Sequence, residues 1–189
     1  MNTASASAAT LLPSVAQGSV TAFEAFYDRY APTVYALLLR ILANTDDAQE
    51  VLQETFVKAW TSAKMFDSVR GSEIAWLISI ARSRGIDRLR SRKIRHTRED
   101  EAGREVSLHS SFIDPTTGAD LAIQSEECRA VRSALAELPE AQRVALELAY
   151  FEGLTQSEIA ARLDEPLGTI KTRMQLGMKK LRERLQAFQ

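Results

Sequence analysis

The residues best suited to read DNA lie at 154–184, near the end of the sequence. Thr155 and Glu158 have the spacing of a capping box, in which each side chain satisfies a backbone N–H group at a helix start. Residues 164–166 then interrupt the helical pattern, because they end in proline, which lacks an amide donor. A second helix is predicted from about Leu167. Two short amphipathic helices joined by a tight turn are typical of a DNA-reading helix-turn-helix.

The second helix of this pair carries hydrogen-bonding side chains near its beginning, which is where a recognition helix reaches base edges in the major groove. Lysine and arginine can donate to guanine or phosphate, glutamine can pair with adenine, and threonine can contact a methyl group or a phosphate. The candidate DNA-reading residues are Thr169, Lys171, Thr172, Arg173 and Gln175, while Ile170, Met174 and Leu181 are expected to point inward. For this segment alone, an ordinary helical hairpin with a solvated basic face is the alternative.

Charged residues are segregated along the 189-residue chain, although its formal net charge is only −1. Residues 46–54 contain four acids and no base, whereas residues 82–98 contain eight bases and the single acid Asp87. This segregation indicates two different partners. For the basic stretch, a solvated helix end is the alternative to nucleic-acid binding.

Several functional classes find no support in the sequence. Cys128 is the only cysteine and His96 and His109 are isolated, so we expect no disulfide, metal or cofactor. The chain has no glycine-rich phosphate loop and no nucleophile paired with a base, so we expect no enzyme. It also lacks a signal peptide and an apolar run of membrane-spanning length, which predicts a cytoplasmic protein with no membrane insertion.

Helical periodicity of apolar residues extends through the chain, and no strand pattern of useful length interrupts it. We therefore predict an all-α protein of two small helical domains joined by a flexible linker. The predicted parts are a disordered N-terminus at 1–19, a first domain at 20–95, a linker at 96–118 and a helix-turn-helix domain at 119–189.

The predicted first domain contains three helices. The first has Pro32 as a kink or restart, the second begins after residues 44–45 and ends near Trp60, and the third extends from about Glu73 to Lys93. Residues 61–72 between the last two are predicted to form a loop. The first helix is expected to bury the series Val20, Phe23, Phe26, Tyr27, Tyr30, Val34, Leu37, Leu38 and Ile41.

Four stretches, at 23–42, 46–60, 75–93 and 138–174, together resemble bacterial RNA polymerase sigma factors of the extracytoplasmic-function (ECF) group. The most diagnostic are DDAQEVLQETFVKAW at 46–60 and the segment containing LTQSEIAARLDEPLGTIKTRM. The resemblance covers nearly the whole chain. It implies a protein that brings core RNA polymerase to promoter DNA, with the first domain opening the minus-ten element and the second reading the minus-thirty-five element.

The resemblance also implies roles for individual residues. Core polymerase would dock on Asp46, Asp47, Glu50, Gln53 and Glu54, an acidic face suited to an arginine-rich partner helix. An unpaired minus-ten base would be captured by the loop and the following helix, through walls and polar groups supplied by Met65, Phe66, Asp67 and Arg70. The phosphates of the melted strand would be followed by Arg84, Arg88, Arg90 and Arg92, and Ser83 is a further candidate for contact with the minus-ten element.

The sequence departs from the family pattern at four positions. Ser83 stands where asparagine is common, and residues 176–178 replace arginines, which predicts weaker phosphate anchoring along the later recognition helix. Trp60 and Trp76 are expected to pack in the core.

Two other kinds of protein would share these features. One is a stand-alone helix-turn-helix regulator, and the other is a sigma-mimicking adaptor that titrates a regulator. The resemblance further implies a cognate anti-sigma factor as a partner.

Overall fold

The computed structural model describes the backbone of residues 10–100 and 126–186, and the side chains of residues 10–94 and 131–186. Its regular elements are helical throughout these ranges, which confirms the predicted fold class. No helix in the described ranges is long and apolar enough to span a membrane. The helices are α1 (Leu12–Ala16), α2 (Val20–Leu42), α3 (Thr45–Ser62), a 3₁₀ turn (Ala63–Met65), α4 (Glu73–Asp100), α5 (Glu126–Ala136), α6 (Glu140–Phe151), α7 (Gln156–Leu163) and α8 (Leu167–Gln186).

Chain contacts divide the protein into two compact units, with the boundary after Arg88, whereas the sequence predicts a domain end at residue 95. Helix α4 also ends later than expected, at Asp100 instead of near Lys93. Apolar periodicity marks only the part of a helix that faces a core, so its loss at residue 96 did not mark the end of the helix. Residues 101–118 of the predicted linker lie outside the described residues.

The first unit packs α2, α3 and the first half of α4 around a shared core. Phe26, Leu38 and Leu77 are fully buried in it. Helix α2 continues through Pro32 without a break. Helix α4 approaches α2 closely at Gly85, where an added Cβ would lie 3.2 Å from Leu38 Cδ2.

Aromatic rings fill one end of this core. Phe23 contacts Trp60 edge to face with 5.0 Å between ring centroids, and Phe26 contacts Phe56 at 5.9 Å. Such pairs stabilise a core by about 0.5–1.5 kcal/mol beyond the burial of their area. Trp60 is half-buried and packs against Phe23, so the prediction of core packing is confirmed only in part. Val20 and Tyr27 were also expected to be buried but are 60% and 39% exposed, Val20 because it is the first residue of α2.

Helix α1 corrects the prediction that residues 1–19 are disordered, because a five-residue helix lies within that range. Leu12 and Val15 are buried. The backbone N–H of Leu12 donates to Glu73 Oε1 at 2.5 Å. A helix this short is marginal without tertiary contacts, and its sequence shows too little periodicity to reveal it.

The second unit contains α6, α7 and α8 around a core of Ala145, Ile159, Ala160 and Ile170. Helix α8 approaches α6 at Gly177, where an added Cβ would lie only 2.9 Å from Leu146 Cδ1. Any larger residue at this crossing would require the Leu146 side chain to move.

Candidate nucleic-acid interface

Helix α7 begins with the capping box that the sequence predicts. Glu158 N–H donates to Thr155 Oγ1 at 3.3 Å, and Thr155 N–H donates to Glu158 Oε2 at 2.7 Å. The backbone N–H group of Thr155 lowers the pKa of the Glu158 carboxyl, since the hydrogen bond favours its charged form. The backbone N–H groups of Thr155 and Glu158, which have no partner within the helix, are thereby hydrogen-bonded at its first turn.

A tight turn connects α7 to α8. Asp164 ends α7 in the left-handed conformation, with φ of 50°, and its N–H donates to Ala160 O. Ile159 of α7 and Ile170 of α8 are both fully buried. Their shared core holds the two helices as one rigid body, so the outward face of α8 is presented in a defined orientation.

The first half of α8 presents most of the predicted DNA-reading residues on its surface. Lys171, Thr172 and Gln175 are exposed, while Thr169 is half-buried. Thr172 Oγ1 donates to Gly168 O at 2.9 Å, which restricts the rotamer of this exposed side chain. Arg173 is half-buried and pairs with Glu165 Oε1 at 2.8 Å. Within the predicted DNA-reading set, Arg173 is therefore the residue that forms an ion pair with a residue of the turn.

The later part of α8 explains one departure from the family pattern. Gly177 is buried against α6, so its position faces the core of the unit rather than solvent. Leu176 and Met178 flank it and are exposed. An arginine at 177 would therefore have to displace Leu146, whereas side chains at 176 and 178 point away from this contact and are exposed to solvent.

The predicted docking face and the predicted arginine row contact each other. Arg88 Nη1 of α4 donates to Asp47 Oδ1 at 2.9 Å and to Glu50 Oε2 at 2.7 Å on α3. Glu54 Oε1 accepts from Arg88 Nη2 at 3.4 Å, and its Oε2 accepts from Arg84 Nη1 at 2.8 Å. We call these five residues the α3–α4 ion-pair network.

Burial makes this network stronger than an ordinary surface pair. Only 18% of the Arg88 side chain is exposed, and its carboxylate partners raise the pKa of its guanidinium further, Glu50 most of all. Asp46 and Gln53 lie on the same helix and are exposed. The sequence showed two charged clusters but not their pairing, because the side chains meet only once α3 and α4 have packed against each other.

The loop at residues 66–72 presents an aromatic pair beside exposed side chains. The Phe66 ring packs edge to face on Trp76 of α4, with 5.8 Å between centroids, and both residues are half-buried. Met65 is 78% exposed, and Asp67 Oδ1 accepts from Val69 N–H at 3.0 Å. Among the other residues predicted to contact the minus-ten element, Arg70, Ser83 and Arg90 are exposed and Arg92 is half-buried.

Metal-binding chemistry finds no support in the described part of the chain, where no three histidine, cysteine or acidic residues are grouped to hold an ion. The side chains of His96, His109 and Cys128 lie outside the described residues.

The fold and the exposed face of α8 define a two-unit helical DNA-binding protein. The sequence matches the family described as Sigma-70 region 2 over residues 26–94 and that described as Sigma-70, region 4 over residues 128–181. The ECF RNA polymerase sigma factor SigK of Mycobacterium tuberculosis H37Rv is 40% identical over 176 residues, which cover 91% of this chain and 90% of that protein. SigK of Mycobacterium ulcerans is 38% identical over 94% of this chain and 92% of its own.

The chain therefore belongs to the ECF RNA polymerase sigma factors, which are transcription initiation factors and not enzymes. Among solved structures, it is similar to Rhodobacter sphaeroides SigE in complex with the anti-sigma ChrR, at 30% identity and a TM-score of 0.45, with 92% of this chain and 94% of that chain covered. It is also similar to RpoE of Bartonella quintana in complex with the anti-sigma factor NepR, at 24% identity and a TM-score of 0.41, over 88% and 98% of the two chains.

Proposed function

We propose that this sigma factor binds core RNA polymerase through α3, contacts the minus-ten element through the loop at 66–72 and α4, and reads the minus-thirty-five element through α8. The observation that carries the proposal is the exposed row Lys171, Thr172 and Gln175 on a helix held rigidly by its partner in the turn. Family membership disfavours a stand-alone regulator.

For polymerase docking, we propose that Asp46 and Gln53 make the first contacts, because both are exposed. Asp47, Glu50 and Glu54 complete the acidic face but are engaged by Arg84 and Arg88 in the free chain. A partner arginine can reach Glu50 and Glu54 while they are paired, because 61% and 41% of their side chains remain exposed to solvent.

For the minus-ten element, we propose that Met65, Phe66, Asp67 and Arg70 surround an unpaired base, with Ser83 beside them on α4. Base capture needs apolar walls and a few polar groups, and this loop supplies both. Arg90 and Arg92 are proposed to follow the phosphates. Arg84 and Arg88 join them when the ion-pair network exchanges its partners.

The docking proposal is tested by replacing residues outside the network. Asp46→Lys with Gln53→Lys should weaken binding to core polymerase, because both changes oppose a basic partner surface. Glu24→Lys with Asp28→Lys is the matched control, since it alters exposed residues of α2 and changes the net charge by more. Equal affinity of both double variants for core polymerase would refute docking through α3.

Asp47→Lys and Glu50→Lys are less suitable for this test. Either change places a second cation beside Arg88, so a loss of binding could reflect damage to the network instead of a lost polymerase contact.

Reconstitution of the purified chain with core polymerase should yield promoter-specific transcripts, which a sigma-mimicking adaptor would not give.

We further propose a cognate anti-sigma factor as a partner and the cytoplasm as the location, because family members act on RNA polymerase and are usually held by such an inhibitor. Affinity purification of the chain from its own host, followed by mass spectrometry, tests this. Recovery of core polymerase subunits without any anti-sigma factor, under conditions where promoters of this protein are silent, would contradict it.

A further inference from the structure

Helix α1 contacts both ends of the loop at 66–72. Before the loop, α1 packs against the 3₁₀ turn Ala63–Met65. After the loop, the N–H of Leu12 donates to Glu73 Oε1 on the first residue of α4. The same five-residue helix therefore holds the chain where the loop begins and where it ends.

The residues that form these two contacts of α1 are buried. Leu12 is fully buried, and Ala63 and Glu73 are nearly so. A buried carboxylate requires hydrogen-bond donors, and Glu73 obtains one from the backbone of α1 and one from Tyr30 Oη on α2, at 3.3 Å. The position of α1 is thus set by a polar contact as well as by apolar packing.

Within the loop, the hydrogen bonds are local. Val69 N–H donates to Asp67 Oδ1, and Arg70 N–H donates to Asp67 O at 3.0 Å. Local bonds shape a turn but do not orient it relative to the domain. Phe66 is also held by its ring contact with Trp76, but the orientation of the rest of the loop depends on how its two ends are held.

We infer that α1 is a brace that orients the loop at 66–72 for contact with an unpaired base, and that Glu73 is the positioning residue through which it acts. The inference rests on the proposed minus-ten role of the loop. It gives a function to a segment that precedes the matched sigma-70 region 2.

The test uses the full chain with three changes at the brace. Glu73→Ala removes both hydrogen bonds, Tyr30→Phe removes only the one to α2, and Glu73→Gln keeps an acceptor oxygen for Leu12 N–H. NMR order parameters of the loop amides report its rigidity on the picosecond to nanosecond timescale. Val34→Ala, which opens a cavity in the core of α2, controls for a general loss of stability.

Affinity is measured with core polymerase bound, using a fluorescent single-stranded minus-ten oligonucleotide. Glu73→Ala should lower the loop order parameters and weaken binding roughly three- to tenfold, the effect of reordering one or two side chains on binding. Tyr30→Phe should have a smaller effect, and Glu73→Gln should stay near the wild type. Affinity of the chain for core polymerase should not change.

Two results would overturn the inference. One is an unchanged loop in Glu73→Ala, and the other is an equal loss of oligonucleotide affinity in Val34→Ala at the same loss of melting temperature. Val69→Ala with Arg70→Ala tests the proposed loop function separately, since both side chains are exposed and lie outside the 3₁₀ turn and Glu73. If that variant binds normally, the minus-ten proposal fails, while the order parameters still decide whether α1 orients the loop.

Discussion

The two helical units use charge in opposite ways. In the first unit, Arg88 lies between carboxylates of a neighbouring helix, and most of its surface is covered. In the second unit, Lys171 and Gln175 extend from α8 into solvent, while one arginine of that helix pairs with the preceding turn. In the first unit, acidic and basic side chains therefore partly neutralise one another. In the second unit, Lys171 and Gln175 are exposed and available for a partner.

This difference shows that a run of like charges does not by itself define a binding surface. The acidic stretch and the basic stretch suggested two partners, yet in the free chain each supplies partners for the other. A polymerase that takes the carboxylates would release arginines on the adjacent helix. The two proposed interfaces of the first unit are thus linked, whereas the α8 surface acts independently of any such exchange.

The largest expected effect is the loss of the rigid support beneath the α8 surface. Ile170→Asp buries a charge without a partner and should cost more than about 4 kcal/mol, which is enough to unfold a small unit. NMR signals from residues 140–186 should lose their dispersion while those of the first unit persist. Lys171→Asp, on the exposed neighbour, should leave the spectrum dispersed, and equal effects of the two changes would contradict the described burial.

Base readout should be the next largest effect and is specific to the second unit. Lys171→Ala or Gln175→Ala should each cost about 1–3 kcal/mol against the preferred upstream element and relax discrimination at one or two base pairs. Selection from a promoter library measures this. Lys179→Ala, further along α8, should weaken all sequences alike or none. Wild-type base preference in both test variants would place the reading surface elsewhere.

A stability measurement sharpens the contrast between the units. Arg88→Ala leaves three carboxylates without their shared cation and should lower the free energy of unfolding by about 1–2 kcal/mol, a value reduced for partial exposure. Lys171→Ala should change it by less than about 0.5 kcal/mol. Denaturant titrations at low and high salt test the cause, because screening should shrink the Arg88 effect. A salt-independent loss would point to packing instead of charge.

The smallest effect is the pH dependence of the capping box. The hydrogen bonds to Thr155 hold the folded pKa of Glu158 below its ordinary value, so its stabilising contribution is present above the unfolded pKa and is lost as pH falls through the folded pKa. Glu158→Gln should remove this dependence from the second unit while keeping an acceptor for Thr155 N–H. Acid titrations of thermal stability compare the two proteins, and identical profiles below about pH 4.5 would contradict the assignment.

Features made by neighbouring residues were predictable from the sequence. The capping box of Thr155 and Glu158, the end of α7 at residues 163–164 and the inward direction of Ile170 all follow from residues within one or two helical turns. Caps and helix periodicity depend on local geometry, so residue type and spacing contain the necessary information. The family resemblance, which rests on the same local strings, was confirmed by the matched relatives.

Other features were decided only by the tertiary structure. Arg88 meets Asp47 across 41 residues of chain, and Leu12 meets Glu73 across 61. Gly177 packs against α6, where an added Cβ would lie 2.9 Å from Leu146 Cδ1. No local pattern contains such contacts, because they exist only once the helices have packed and have determined which charges face each other and which backbone groups are buried together.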